Sequence, residues 1–261
     1  MRAGVIAMFG ALPLASACSD PTSDDDTAAA TGSASESTST DTASDSGDPT
    51  PAPRGCPPPE GVSARPESVE DVVTLLEALP LPTTLPCFLE SLERPLSVAV
   101  SANDFSAQPA DGPDNPRLFI LSGPLTMSVV PTGIGRHLLE FAVDVGNRES
   151  IKAELEFPLT ERVLPADPYD RIRFDGGGTS CSGCHAGERL SEAIDFTDAY
   201  VSEALQAPAD AQFSIGFVQQ HAAMCDPEAD DERCQLLTAV FAHGEIQNTT
   251  LNPDYRICSG P

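Results

Sequence analysis

The chain has 261 residues, 14 basic against 40 acidic, and a formal charge of −26. That balance lacks the basic stripe needed to neutralise phosphates, so it excludes a nucleic-acid binder of that kind and charge-driven docking on anionic lipid. Twenty-five prolines and 19 glycines signal short elements and many loops, and the eight cysteines call for an explanation.

Residues 1–18 read MRAGVIAMFGALPLASAC. Arg2 is followed by a short apolar run from Val5 to Leu14, then by small Ala15, Ser16 and Ala17 before Cys18. This is the three-part pattern of an export signal, and it is too short to span a bilayer stably. Its end resembles the bacterial lipoprotein box, in which the cysteine after the cut is acylated. The resemblance implies a signal peptide over 1–17 and a lipidated Cys18. Ser19, where Asp is absent, implies passage to the outer membrane of a two-membrane bacterium. The alternative is an ordinary signal peptide cut after Ala17, or an uncleaved anchor. Residues 19–55 hold no Leu, Ile, Val, Phe, Met, Tyr or Trp. Such a segment cannot offset its ordering entropy by burial, so 18–55 is predicted to be a lipidated, disordered Ser/Thr/Asp-rich linker.

Ser68-Val69-Glu70-Asp71 reads as a capped helix start, and Val72, Val73, Leu75, Leu76 and Leu79 repeat at helical spacing until Pro80. Leu81 to Leu92 reads as a loop with a short helical turn carrying Cys87. Then the period changes. Leu96–Val100, Leu118–Leu121, Leu125–Val130, His137–Val145 and Ile151–Phe157 are short β-branched and apolar runs separated by Gly, Pro, Asn and Asp. In Ile151–Phe157 the alternation is strict, which predicts one wet face carrying Lys152, Glu154 and Glu156. Five such strands predict an antiparallel sandwich or half-barrel, giving a β-rich domain with an N-terminal helix over 56–174. Asp175-Gly176-Gly177-Gly178 reads as a flexible hinge, and helices are predicted at about 186–206, 211–224 and 229–242.

Between hinge and helices lies Cys181-Ser182-Gly183-Cys184-His185. C-x-x-C-H is the attachment signature of c-type haem. Two thiols three apart reach the two vinyl groups on one porphyrin edge, and the adjacent imidazole supplies an iron ligand. Three other readings use the same residues. The pair can close as a disulfide in an oxidising compartment. It can form a zinc site with His185 and Cys225, Cys234 or Cys258. It can act as a redox dithiol, although Ser180 offers no aromatic before the pair.

Over Gly178 to Gly187 (GTSCSGCHAG) the chain resembles the cytochrome c family. The resemblance implies that Cys181 and Cys184 are thioether residues, that His185 is an axial ligand, and that 175–261 is a helical cytochrome c-like domain. It departs from the family in lacking the Gly-Pro pair after the motif and a downstream Met-Pro pair. Met224 and His221 are therefore the first candidates for the second axial ligand, with His243 a third. The fold expectation is α+β: a disordered tether, a small antiparallel β-rich domain, then the helical C-terminal domain.

Cys225 and Cys234 bracket an acidic loop and can pair, and Cys56 with Cys87 can staple the chain before Ser68 to the first helix. Cys258 is then left over, or takes Cys225 or Cys234. His137 lies in a strand run and reads as a surface or core histidine. The leading expectation is a membrane-tethered c-type monohaem protein, more an electron carrier than an enzyme, with haem c as cofactor, a lipid anchor and a redox partner protein. The competing one is a non-catalytic surface lipoprotein with structural cysteines that binds a partner or carbohydrate through its β-rich domain.

Overall fold

The structure is a computed structural model that describes residues 18–19, 51–102, 106–110, 112–226 and 231–258. The signal peptide and most of the predicted tether lie outside the described residues. The first element is a two-residue strand, β1 (Cys18–Ser19). Helix α1 (Val69–Glu77) starts where its capping box predicts: the Ser68 hydroxyl accepts from the Asp71 N–H, and the Asp71 carboxylate accepts from the Ser68 N–H. Helix α2 (Leu85–Ser91) is capped by Thr84. Cys87, on α2 rather than α1, is disulfide-bonded to Cys56, with Cα atoms 5.2 Å apart.

The five predicted strands form an antiparallel meander: β2 (Leu96–Ser101), β3 (Arg117–Ser122), β4 (Leu125–Val129), β5 (Leu138–Gly146) and β6 (Glu149–Glu156). Asn147 and Arg148 join β5 to β6 with φ of 55° and 61°. Two central residues at positive φ match the right-handed twist of a tight hairpin. After a short helix α3 (Asp167–Asp170) come β7 (Arg189–Leu190), β8 (Tyr200–Glu203) and β9 (Leu205–Gln206). Helices α4 (Ile215–Ala223) and α5 (Glu232–Phe241) follow, then β10 (Ile246–Asn248) and β11 (Arg256–Cys258).

The strand order is β10-β2-β3-β4-β5-β6-β8-β7 in one eight-stranded mixed sheet, with β10 parallel to β2. A second sheet, β1-β11-β9, places Cys18 opposite Cys258 in register. This overturns two expectations. The strands build one large sheet in place of a sandwich. The segment after the glycines is not a helical cytochrome c-like domain: it gives β7, β8 and β10 to the same sheet as the meander. The helix predicted at 186–206 is strand and loop, because β8 pairs with the outer edge of β6 through Glu149–Glu203 and Ile151–Val201. Pairing of this kind is tertiary and overrides local propensity. The helices predicted near 211–224 and 229–242 are present as α4 and α5.

One face of the meander is apolar. Val98, Ile120, Met127, Phe141 and Ala153 follow one another across it in register. They join Val72, Leu75, Phe88, Val218, Leu237 and Val240 of the helices in one hydrophobic core. The opposite face is polar, and the segment that carries the C-x-x-C-H motif lies over it.

Candidate functional site

The polar face is built by register. Ser128, Glu140 and Glu154 lie side by side on β4, β5 and β6, with Thr126, Ala142 and Lys152 in the next row. Arg117 of β3 reaches diagonally to pair with Glu140 and to donate to Ser128. Residues 172–207 fold back over this face. A cavity of about 200 Å³ remains between them, lined among others by Arg117, Glu140, Lys152, Cys181, Cys184 and His185.

The glycines before the motif form a tight, hydrogen-bonded turn in place of the predicted flexible hinge. The Phe174 N–H donates to Gly178 O at 3.0 Å, and Gly177 and Gly178 take φ of 90° and 80°. A Cβ on Gly178 would stand 3.0 Å from the Glu188 carboxylate, so the position is closed to side chains on both counts. That carboxylate accepts from the Thr179 N–H at 2.8 Å and from the Thr179 hydroxyl. Thr179 Oγ1 in turn accepts from the Cys181 N–H at 3.1 Å and caps a 3-10 turn, Ser180–Gly183.

The N–H groups of Cys184 and His185 both donate to Cys181 O, at 3.0 and 2.9 Å. The motif is thus one helical turn, which brings positions i, i+3 and i+4 to one side. Cys181 and Cys184 remain as thiols. Burial pushes the Cys181 thiol up to about 11, with opposing help from the Thr179 hydrogen bond.

His185 is tied to β8. Its Nδ1 lies 2.8 Å from Glu203 O, and the Glu203 N–H donates to Ala186 O at 3.0 Å. A carbonyl only accepts, so Nδ1 carries the proton and Nε2 keeps its lone pair. Burial and then the nearby Lys152 ammonium depress the His185 pKa to about 3, which leaves the ring neutral at ordinary pH.

Lys152 is 5% exposed, far from the wet position that alternation predicts, because the motif segment covers it. It donates to Ser150 Oγ and, at 3.3 Å, to Glu203 O. Burial brings its pKa down to about 8. Glu154, bonded to Arg171 at 2.8 Å, is pushed up by burial and by Glu140.

The C-x-x-C-H spacing and a neutral imidazole with Nε2 available are what covalent haem attachment requires, whereas the cavity beside them, about 200 Å³ and walled by Arg117, Glu140 and Lys152, is too small to enclose a porphyrin. The donor set fits the competing metal site poorly. Cys225 and Cys234 are disulfide-bonded to each other, with Cα atoms 5.3 Å apart, so neither can join Cys181, Cys184 and His185 around zinc. Among the described residues no cluster of three or more His, Cys, Asp and Glu side chains is arranged to hold a metal ion.

The candidates for the second axial ligand lie elsewhere. Met224 caps α4 and is 73% exposed. The His221 ring stacks on Phe217 with centroids 4.6 Å apart, and its Nδ1 accepts from Arg233. His243 is buried beside Glu90, with Nδ1 donating to Ala52 O at 3.1 Å. None of the three lines the cavity. Sequence reasoning missed Lys152, Arg117 and the Glu203 carbonyl. Only Lys152 left a trace, as the one basic residue in β6.

Among the described residues no helix is long and apolar enough to cross a membrane. No family model, curated protein or solved structure matches the chain.

Proposed function

We propose that this chain is a membrane-tethered c-type monohaem protein that transfers electrons, with Cys181 and Cys184 attaching the porphyrin and His185 ligating its iron. The observation that carries the reading is the hydrogen bond from His185 Nδ1 to Glu203 O beside two cysteines that remain thiols. Metal-bound histidines characteristically donate their other ring N–H to a carbonyl or carboxylate, which fixes the tautomer and raises ligand basicity.

Haem supplies one-electron chemistry at its iron when bound. The protein's part is to hold and to shield. The Thr179–Glu188 pair fixes the turn that presents both sulfurs. Glu203 O fixes the imidazole. The raised Cys181 pKa supports this over a redox dithiol, which works through a thiol of lowered pKa. Cys18 acylation, read from the signal segment, supplies the tether, and a redox protein of the same compartment is the partner.

The test is expression together with haem-attachment machinery, followed by absorption and pyridine-haemochrome spectra. A Soret band that survives acid-acetone extraction is expected. It should be lost in the Cys181→Ala, Cys184→Ala double variant. A folded, colourless wild-type product would overturn the reading.

A further inference from the structure

We infer that the cavity between the polar sheet face and residues 172–207 binds a short-chain organic monocarboxylate, its headgroup on the Lys152 ammonium and its carbon chain along Ala142 towards Phe119. The inference stands apart from the haem reading, because it uses the sheet side of the cavity and the chain with its thiols free.

The register places the parts. Ala142 of β5 lies directly beside Lys152 of β6, and Phe119 of β3 shares the neighbouring row with Ser128 and Glu140. Ile172 and Leu251, both buried, line the same space. A cavity of about 200 Å³ with an apolar floor and one buried cation at its β6 end suits a small amphiphile.

The charge balance selects an anion. Glu140 is paired with Arg117, Glu154 with Arg171 at 2.8 Å, and the Glu203 carboxylate with Arg256 at 2.9 Å. The His185 ring is neutral and the Cys181 thiol is protonated at ordinary pH. Lys152 is different. An ammonium has three donors, and the two acceptors Lys152 meets, Ser150 Oγ and Glu203 O, carry no charge. A charge that is 5% exposed is costly unless an opposite charge meets it, and the lowering of its pKa to about 8 by burial reflects that cost. A carboxylate in the cavity supplies the opposite charge and accepts from the third donor. Glu140 and Glu154 on the same wall repel a second negative charge, which favours a monoanion over phosphate.

A second observation points the same way. Ser101 of β2 lies in register with Arg117 and lines the cavity at the other side of the sheet. It is 2% exposed, and its hydroxyl has no hydrogen-bond partner among the described residues. Buried hydroxyls are ordinarily bonded, so this one looks to the contents of the cavity.

The experiment is calorimetric titration of the full chain, expressed without haem-attachment machinery and kept reduced, with sodium hexanoate at pH 7. Saturable one-to-one binding is expected. Hexanamide keeps the shape and drops the charge, and it should bind about tenfold more weakly or worse; so should hexanoate to Lys152→Met. Lys152→Arg should recover part of the affinity. Saturating hexanoate should also slow alkylation of Cys181, which places the ligand in this cavity. The absence of saturable hexanoate binding overturns the inference. So do equal affinities for hexanoate and hexanamide, or for wild type and folded Lys152→Met. Inorganic phosphate that displaces hexanoate at equal concentration overturns the assignment to an organic acid.

Discussion

Lys152 Nζ and His185 Nδ1 donate to the same atom, the carbonyl oxygen of Glu203, at 3.3 and 2.8 Å. A buried cation and the His185 imidazole are therefore coupled through one acceptor. The ammonium withdraws density from the carbonyl and so weakens its pull on the Nδ1 proton. With haem bound at His185, as proposed, it would also place positive charge near the iron and disfavour the ferric state. Both effects raise the reduction potential. Lys152→Met is expected to lower it by about 59 mV or more, a tenfold change in the one-electron equilibrium. Lys152→Arg should restore most of the difference. Spectroelectrochemical titration of the three proteins checks this, and equal midpoints in wild type and Lys152→Met would refute the coupling.

The same lysine sets an alkaline stability window in the haem-free protein. Burial brings its folded pKa to about 8, below the ordinary lysine value of 10.5. Between those values the unfolded chain binds the proton and the folded chain does not, so stability rises with pH through the window. Below about pH 8 the burial penalty is fully present. Lys152→Met should therefore be more stable than wild type at pH 7, by an amount on the order of 3 kcal/mol. The gap should narrow towards pH 10. Urea unfolding at pH 7 and pH 10 measures it. A gap that is constant across the window would show that the charge of Lys152 is not the cause.

The meander was legible because its strands announce themselves locally. Leu96–Val100 to Ile151–Phe157 are β-branched runs cut by turn residues, and Ser68 with Asp71 marks a helix start with a physical partner for each orphan N–H. The motif was legible by spacing alone. What surrounds it was not. Tyr200–Glu203 is a strand because β6 offers it an edge, and nothing within those four residues says so. The partner of His185 is a backbone carbonyl, which every residue possesses and no sequence pattern marks. Lys152 alternates as a wet residue should, and only the fold-back of residues 172–207 buries it. His221 and Met224 were chosen by distance along the chain, whereas α4 packs against α5 and β2 and holds them away from the cavity.

Anchoring follows from the signal segment. Cys18→Ala should move the protein from the membrane fraction to the soluble extracytoplasmic fraction. On the lipoprotein reading retention rests on the acyl chain, since residues 19–261 contain no apolar stretch of about 20 residues. Fractionation with mass analysis of the mature N-terminus reads the result. Wild-type membrane retention of the variant, with no lipid mass on wild-type Cys18, would refute lipidation.

The last prediction separates a haem-attachment pair from a redox dithiol by using the haem-free protein. A thiol whose pKa stands at about 11 is almost wholly protonated at pH 8, whereas an ordinary cysteine near 8.5 is about one quarter thiolate. The thiolate is the nucleophile, so Cys181 should react with iodoacetamide about a hundredfold more slowly than a free thiol at that pH. Its rate should keep climbing with pH beyond 9, where an ordinary thiol has levelled off. Thr179→Val removes the hydroxyl that caps the Cys181 turn and donates to Glu188. The change also leaves the Cys181 N–H without its cap and Glu188 short of one donor, at a cost of about 1–2 kcal/mol in stability. Peptide mass mapping assigns the modified site. A Cys181 that alkylates as fast as a free thiol at pH 8 would contradict the burial argument and favour dithiol chemistry at the Cys181–Cys184 turn.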